Sequence, residues 1–414
     1  MRAIVDLHIH SKYSRACSRE LTPENLAMWA QKKGITVLGT GDFTHPAWFE
    51  DLSILEEVKQ GLYRHPKYQT LFLYQTEVAS IYKQGDKVRR VHNLIFAPNR
   101  EAAIKLTDAL VARGCNVKSD GRPIFGIHCD ELVKICKDID ERMEVVPAHA
   151  WTPHFGVFGS LSGFDTLEEA YGTQTKYIRA IETGLSSDPE MNWKVQELSN
   201  ISLISNSDPH SLPKLGREAN VFELDVNSVT YDGIIQTIYS RDPKKFLYTI
   251  EFFPEEGRYH LDGHADCKFS CEPAMTQKLG GMCPVCGKKL LRGVLARVQD
   301  LASQSKWTGI PYKNMIPLLE IVAEVYGVGV ASKKVQAEYE RLVSQKTEFG
   351  ILLDLDHEEL EVLGGKVFAQ AVKKVRERDI ILAGGYDGIY GKIQIFTPEE
   401  RDSLLLKPKQ FALF

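Results

Sequence analysis

His8 and His10 stand two residues apart in Asp6-Leu7-His8-Ile9-His10, so on an extended strand both would project the same way and could grip one cation. Asp208-Pro209-His210 repeats that spacing with a carboxylate first. Asp42, His45, Glu77, His92 and His149 add further imidazole nitrogens and carboxylate oxygens. Such donors suit zinc, manganese or iron, and carboxylates can bridge two ions about 3.5–4 Å apart. These nine donors exceed what one ion needs, so two or three metals are expected.

Residues 1 to 253 supply the elements that must carry them. Apolar runs over Ala3–Leu7, Ile35–Gly39, Thr70–Tyr74, Val91–Ala97, Glu144–Pro147, Ile178–Ile181 and Ile201–Ser205 read as strands. Between the first two, Thr22 can cap a helix, Pro23 suits its first turn, Leu26 and Trp29 give it an apolar face and Gly34 ends it. Repeated strand–helix units imply a parallel sheet, and seven of them favour a closed or nearly closed α/β barrel. In such a barrel the C-terminal strand ends converge on one rim, so donors two hundred positions apart become neighbours. His92 is the exception, because it begins its predicted strand. It reaches the rim only if that strand runs antiparallel or starts earlier.

Glu182 and Asp188 also follow a predicted strand; Glu182 suits substrate contact or support of a ligand as well as ligation, and Asp188 suits a turn or helix cap. Trp151, Phe155 and Phe158 occupy a Gly-rich loop beside the same rim. Aromatic residues more often pack a core, but a loop at a catalytic rim is where bases could stack.

The chain of 414 residues carries 51 basic and 55 acidic residues, a net charge of −4, so bulk charge does not mark a nucleic-acid coat. Apolar residues are 43% and charged residues 26%, the balance of a globular protein. No apolar run is long enough to span a membrane, and the charged MRAIVDLHIH lacks the core of an export signal. An intracellular location is expected, cytoplasmic and associated with the nucleoid. Of the eight cysteines, four cluster as Cys267-x₃-Cys271-x₁₁-Cys283-Pro-Val-Cys286-Gly. The Cys-Pro-x-Cys-Gly knuckle points two sulfurs at one ion, so residues 254–297 read as a zinc ribbon with one structural Zn held by Cys267, Cys271, Cys283 and Cys286. His264-x₂-Cys267 has the better knuckle spacing, which makes His264 the substitute for an irregular first cysteine.

Basic residues Lys288, Lys289 and Arg292 flank the cluster and could contact a phosphate backbone, although a solvated face is the simpler explanation. Residues 298–414 read as helical and mixed. There Gly327-Val328-Gly329-Val330 followed by Ser332-Lys333-Lys334 joins two predicted helices, Ile316–Tyr326 and Lys333–Val343; it suits phosphate contact or simply a tight helical hairpin. Further on come a helical stretch, Lys366–Arg378, two glycine-rich turns and a strand at Lys392–Phe396.

Asp6-Leu7-His8-Ile9-His10, Glu77, Pro147-Ala148-His149 and Asp208-Pro209-His210 resemble the motifs of the PHP (polymerase and histidinol phosphatase) superfamily of phosphoesterases. That resemblance implies a distorted seven-stranded α/β barrel with a trinuclear site, so the expectation is two or three divalent metals at the barrel rim, Zn, Mn or Mg. It places His8, His10, Glu77 and Asp208 at one ion, Glu77, His92 and His149 at a second, and His45 and His210 at a third. Two departures stand out: Asp42 and His45 are separated by Phe43-Thr44, and Ala16 and Cys17 lie where a further histidine is common. With Glu182-Thr183-Gly184-Leu185-Ser186-Ser187-Asp188, the zinc knuckle and the terminal Gly-Tyr-Asp-Gly-x-Tyr-Gly-Lys, the chain resembles the endonuclease Q family along almost its full length. The resemblance implies hydrolysis of DNA, single- or double-stranded, 5′ to deaminated bases (uracil, hypoxanthine, xanthine) or abasic sites, with Asp208, Glu77, His8 and His10 in the catalytic roles and Ser186 beside the DNA. Two other readings compete: a small-molecule phosphatase of the histidinol-phosphate type, and a non-catalytic DNA-binding zinc-ribbon protein. Metal content and phosphodiester turnover separate the three.

Overall fold

The computed structural model describes residues 1–225, 229–303 and 307–405; the parts of the expected C-terminal region at 304–306 and 406–414 lie outside the described residues. Strand β1 (Arg2–Asp6) leads into helix α1 (Pro23–Lys33) and strand β2 (Val37–Gly39). The helix forms where its caps predict. Thr22 Oγ1 accepts the Asn25 N–H at 3.3 Å, Pro23 occupies the first turn and Gly34 ends the helix at φ 91°, where a side chain would be strained.

β1 pairs in parallel with β2, and β2 with β3 (Leu71–Gln84). There the expected alternation breaks. β3 continues past Tyr74 to Gln84, then reverses through Gly85-Asp86 into β4 (Lys87–Ala97), which is antiparallel to it from Gln84↔Lys87 to Tyr74↔Ala97. Gly85 has φ 60°, as a two-residue hairpin loop needs, and so short a loop leaves no room for a crossover helix. β5 (Glu144–Pro147) is antiparallel to β4, and β6 (Ala180–Glu182) and β7 (Ser202–Ile204) form a separate parallel pair. Two strands that the sequence pattern does not announce follow: β8 (Ala219–Glu223), antiparallel to β1, and β9 (Phe246–Glu251), antiparallel to β8. β10 (Tyr312–Asn314) extends the sheet beyond β9. The architecture is mixed α/β with a large mixed sheet, not the all-parallel sheet that alternation implied.

The strands nevertheless share one interior. Ala3, Val5, Val37, Leu73, Leu94, Val146, Ala180, Ile204 and Phe222, drawn from β1 to β8, belong to a single buried apolar cluster. Single backbone hydrogen bonds join the separate pair to its neighbours: Ala150 N–H to the Glu182 carbonyl (3.0 Å) and Asp208 N–H to the His8 carbonyl (3.0 Å). Asp6, wholly buried, reinforces the second junction by accepting from Ser207 N (3.0 Å) and Gly216 N (3.1 Å). The loops at residues 8–10, 149–150 and 205–210 are thereby drawn to one rim.

Helices α2 (Leu318–Tyr326), α3 (Lys333–Val343) and α4 (Lys366–Arg376) follow, with α2 and α3 locked against α1 by a buried ion pair. Lys33 Nζ lies 2.8 Å from Glu348 Oε2, which also accepts the Tyr339 hydroxyl (2.8 Å), while Glu348 Oε1 accepts the Leu318 N–H (3.1 Å). An antiparallel hairpin, Asp262–His264 with Phe269–Cys271, carries the cysteine cluster. The terminal glycine-rich turns pack on this hairpin and on the segment before it: Gly385 O accepts from Leu261 N (2.9 Å), and Asp387 Oδ2 accepts from Ala265 N (2.6 Å). Gly391 passes so close that an added Cβ would lie 2.0 Å from the Glu255 carbonyl oxygen. No helix among the described residues is long and apolar enough to cross a membrane.

Candidate metal centre

Two donor triads share Glu77: His8, His10 and Glu77, and Glu77, His92 and His149, each able to bring one atom per residue within 4.8 Å of the others. Glu77 divides its oxygens between them. Oε2 lies 3.7 Å from His8 Nε2 and 3.4 Å from His10 Nε2, whereas Oε1 lies 2.7 Å from His92 Nδ1 and 3.0 Å from His149 Nε2. Asp208 completes the first group, its Oδ1 being 3.0 Å from His10 Nε2 and 3.8 Å from His8 Nε2. His92 reaches the site because β4 is antiparallel and starts five residues before it, which places it opposite Ala79 on β3.

The donors fit a metal. His8 Nε2, His10 Nε2 and Asp208 Oδ1 are buried without hydrogen-bond partners, a costly arrangement unless something else satisfies them. Ligand bonds of about 2.0–2.2 Å put the donors of one tetrahedral ion roughly 3.3 Å apart, in the middle of the observed separations.

Two carboxylates aim the imidazoles. Glu182 holds His8 Nδ1 at 3.1 Å with both oxygens, and Asp42 Oδ1 holds His10 Nδ1 at 3.0 Å, so each ring turns its Nε2 toward the site. Asp42 is thereby corrected from ligand to orienting group. Its Oδ2 is spent on Ser11 N (2.7 Å), Ser11 Oγ (2.6 Å) and Ser14 Oγ (2.8 Å). Glu182 is likewise a support, accepting from His149 N (2.8 Å) and Asn206 Nδ2 (2.9 Å). Asp188 caps the short helix Pro189–Asn192, accepting from Met191 N at 2.8 Å.

The expected third ion finds no such group of three donors among the described residues. His45 Nδ1 accepts the Trp48 N–H as a helix cap and its ring stacks on Tyr13 at 4.5 Å; His210 donates to the Asp208 carbonyl at 3.2 Å. Both stand beside the triads rather than in them. The separation of Asp42 from His45 by two residues explains part of this, since Asp42 turns inward while His45 starts the next helix.

Electrostatics favours ionised carboxylates here. Burial would raise Glu77, but His92, Arg122 and His8 outweigh it and hold its carboxyl well below the usual range. Asp208 is likewise held low against burial by His8 and His10. Burial lowers His92 to about 4. Backbone strain gathers at the same place: Asp42 (φ 41°), His149 (φ 31°) and Asp208 (φ 41°) all lie in the left-handed region. Gly184 packs on His149 so tightly that a Cβ there would approach the His149 Cβ to 2.5 Å.

Arg122 is the residue that sequence reasoning missed. Its Nη1 lies 3.0 Å from Glu77 Oε2, yet it sits in a loop with no motif to mark it.

A groove of about 340 Å³ opens beside the centre, lined by His92, His149, Asp208, Phe155, Ser186, Tyr259 and Tyr390 among others. Phe155 stacks over His92 at 4.3 Å. Trp151 and Phe158 do not reach it and are corrected from stacking residues to core: both are wholly buried, their rings 4.9 Å apart, with Trp151 Nε1 donating to Asn192 Oδ1 at 2.7 Å. Lys288, Lys289, Arg292, Lys333 and Lys334 are exposed; Arg292 pairs with Asp300 at 2.9 Å and Lys334 lies over the Tyr326 ring at 3.9 Å.

At the cysteine cluster the structure groups His264, Cys267, Cys283 and Cys286. Cys271 is corrected out of that set. On its strand it pairs with Asp262, while His264 sits at the turn end of the hairpin, and the Cys271 sulfur instead lies 3.4 Å from Thr276 Oγ1.

Similarity to known proteins matches this geometry. A family model described as the MJ0043 C-terminal domain matches residues 317–379. The uncharacterized protein MJ0043 of Methanocaldococcus jannaschii is 31% identical over 260 residues, 61% of this chain but only 32% of that protein. The uncharacterized protein YqxK of Bacillus subtilis is 28% identical over 94% of this chain and 98% of its own length. The crystal structure of the lesion-specific endonuclease PfuEndoQ from Pyrococcus furiosus superposes with a TM-score of 0.85 at 30% identity, covering 99% of this chain and 98% of that one. The chain belongs to the endonuclease Q family. Endonuclease Q in complex with a 27-mer duplex bearing an abasic lesion at the active site has the same TM-score, 31% identity and full coverage of both chains.

Proposed function

We propose that this protein is a DNA repair endonuclease that hydrolyses the phosphodiester 5′ to a deaminated base (uracil, hypoxanthine or xanthine) or an abasic site. The observation that carries the reading is the pair of donor triads bridged by Glu77, in a chain alike over its full length to a nuclease of that class. His8, His10, Glu77 and Asp208 hold one divalent ion, Zn, Mn or Mg, and Glu77, His92 and His149 a second; His45 and His210 are the residues available to a third. Bound there, divalent ions supply Lewis acidity and a water of lowered pKa. Glu182 and Asp42 keep the His8 and His10 rings aimed at the ion they would hold. His264, Cys267, Cys283 and Cys286 hold a structural zinc.

A base concealed in a duplex must be extruded to be read. The groove beside Phe155 and Ser186 has room for one such group, with Phe155 as a stacking face and Ser186 as a hydrogen-bonding group toward the carbonyl that deamination creates. The basic residues Lys288, Lys289, Arg292, Lys333 and Lys334 contact the phosphate backbone, and a nucleoid location in the cytoplasm follows from that partner. The chain divides by role into 1–253 for chemistry, 254–297 for the zinc and 298–414 for further DNA contact.

The test is cleavage of end-labelled duplexes carrying one deoxyuridine, deoxyinosine or abasic site against an undamaged control, with Mg²⁺ or Mn²⁺. A single cut immediately 5′ of the lesion, absent in Asp208→Ala while that variant still binds DNA, is expected. No cut on any lesion, or equal cutting of undamaged DNA, overturns the reading.

A further inference from the structure

We infer that Arg122 is a catalytic residue, its guanidinium contacting a non-bridging oxygen of the scissile phosphate. The inference rests on the endonuclease reading above. Arg122 Nη1 sits 3.0 Å from Glu77 Oε2, the oxygen that faces His8 and His10, so the cation stands at the first donor group itself. Glu77 is fully buried, but the Arg122 side chain keeps 22% of its surface exposed, and among the described residues its guanidinium hydrogen-bonds through Nη1 alone. The other nitrogens of the planar fork are the donors an anion would take.

The loop that presents Arg122 is built tightly against the site. Asp120 Oδ1 accepts the Arg122 N–H at 3.0 Å and the Arg15 N–H at 3.3 Å. Gly121 N–H donates to the Tyr13 carbonyl at 3.2 Å, and the Pro123 carbonyl accepts from Ala79 on β3 at 2.9 Å. Gly121 passes directly over Asp42, the carboxylate that orients His10. A Cβ at 121 would stand 2.3 Å from Asp42 Oδ2 and 2.4 Å from Ser14 Oγ, so only glycine lets the loop approach this closely.

Charge explains what the arginine is for. Glu77 already faces four imidazoles, and a permanent cation beside a metal-binding carboxylate opposes ion binding unless an anion joins the assembly. Against the four carboxylates Glu77, Asp208, Asp42 and Glu182, two divalent ions and a guanidinium leave the site with a net positive charge, the complement of a phosphodiester. In hydrolysis the water gives up a proton as its oxygen bonds to phosphorus, the P–O3′ bond breaks and its electron pair leaves on O3′, which takes up a proton in turn, so that no net proton is needed; the two non-bridging oxygens gain charge meanwhile. Arg122 exchanges no proton and holds that growing charge with a fork whose geometry matches it.

The experiment compares wild type with Arg122→Met and Arg122→Lys in four readouts: bound metal per chain, duplex affinity, single-turnover cleavage of an abasic-site duplex, and calorimetric titration of the metal-loaded protein with inorganic phosphate. Arg122→Met is expected to keep the metal content, to bind the duplex within about threefold, to lose phosphate binding and to cleave roughly 10²–10³-fold more slowly, the usual effect of removing one donor to developing charge. Arg122→Lys, which keeps the charge and loses the fork, should fall between. Cleavage within threefold of wild type with the metals in place overturns the inference. So does a loss of metal in step with the loss of rate, because Arg122 would then serve Glu77 alone. If Arg122→Met does not fold, Arg122→Lys decides by the same criteria. Should the wild type cut no lesion, the endonuclease reading fails by itself, and the phosphate titration still decides for or against the contact.

Discussion

The rim centre and the cysteine cluster are both built to hold ions, but they are assembled in opposite ways. His264 to Cys286 span one short hairpin and one knuckle, and of the four donors only Cys283 is buried, Cys286 being exposed. The rim donors run from His8 to Asp208 and come from segments far apart in the chain; His8, His10, Glu77 and His92 are buried and His149 and Asp208 half-buried, with unpaired atoms on His8, His10 and Asp208. At the rim His8 and His10 each have their own orienting carboxylate and three residues accept left-handed backbone; at the knuckle the turn itself aims the sulfurs. A local site can thus be specified by spacing alone, whereas a dispersed site needs a second layer of residues to hold the first in place.

The largest effect should come from breaking the bridge. Glu77→Gln removes the negative charge that both triads share and replaces the oxygen of one of them by an amide nitrogen, so the variant is expected to lose both rim metals and to cleave at least 10³-fold more slowly while its cysteine-cluster metal stays bound. Metal content by mass spectrometry alongside cleavage checks it, and retention of both rim ions would end the bridging assignment. Next comes a contrast within the local site. Cys283→Ala should release one equivalent of zinc on dialysis and Cys271→Ala should release none; zinc loss from Cys271→Ala would restore the four-cysteine set.

Orienting carboxylates should matter less than ligands. Asp42→Asn and Glu182→Gln are each expected to weaken rim metal binding by 10–100-fold, the usual cost of such partners, without touching the cysteine-cluster metal. Titration of the metal-free protein with Mn²⁺ measures this, and a complete loss in Asp42→Asn would return Asp42 to the ligands.

The smallest expected effect is on stability. Glu251 lies fully buried behind the rim, bonded through Oε2 to Thr183 Oγ1 at 3.0 Å, and burial pushes its carboxyl up to about 8. Glu218, buried beside it, is raised by burial and by the charge of Glu251. Because the folded value exceeds the ordinary 4.5, folding favours the protonated form: this stabilisation is complete below about pH 4.5 and is lost as the pH rises through about 8. Glu251→Gln, which cannot ionise, should melt a few degrees above wild type at pH 9 and not at pH 5. Melting curves offset equally at both values would show that the shift belongs elsewhere.

Much of this centre can be read from residue types. His8-x-His10 and Asp208-x-His210 announce cation binding, Thr22-Pro23 with Gly34 bounds α1, and the His264-x₂-Cys267 spacing already names the alternative to Cys271. The β3–β4 hairpin is less legible, because nothing between Val78 and Gln84 distinguishes a longer strand from a strand end followed by loop, and the position of His92 depends on it. Trp151 and Phe158 look like stacking residues in a loop and prove to be core, since an aromatic ring carries no mark of which side of a loop it will occupy.

Sequence by itself determined the chemistry on offer: imidazoles and carboxylates enough for more than one ion, a sulfur-rich knuckle for another, and strands and helices to carry them. Only the tertiary structure decided the roles. Whether a carboxylate is placed to ligate or to orient depends on which oxygen faces the histidine nitrogens of the rim and which is spent on neighbouring hydroxyls, and Asp42 and Glu77 differ in this at similar depth. Arg122 joins the centre solely because Gly121 lets a distant loop pass over Asp42. These are differences of one or two ångströms between residues far apart in the chain, set by packing rather than by spacing.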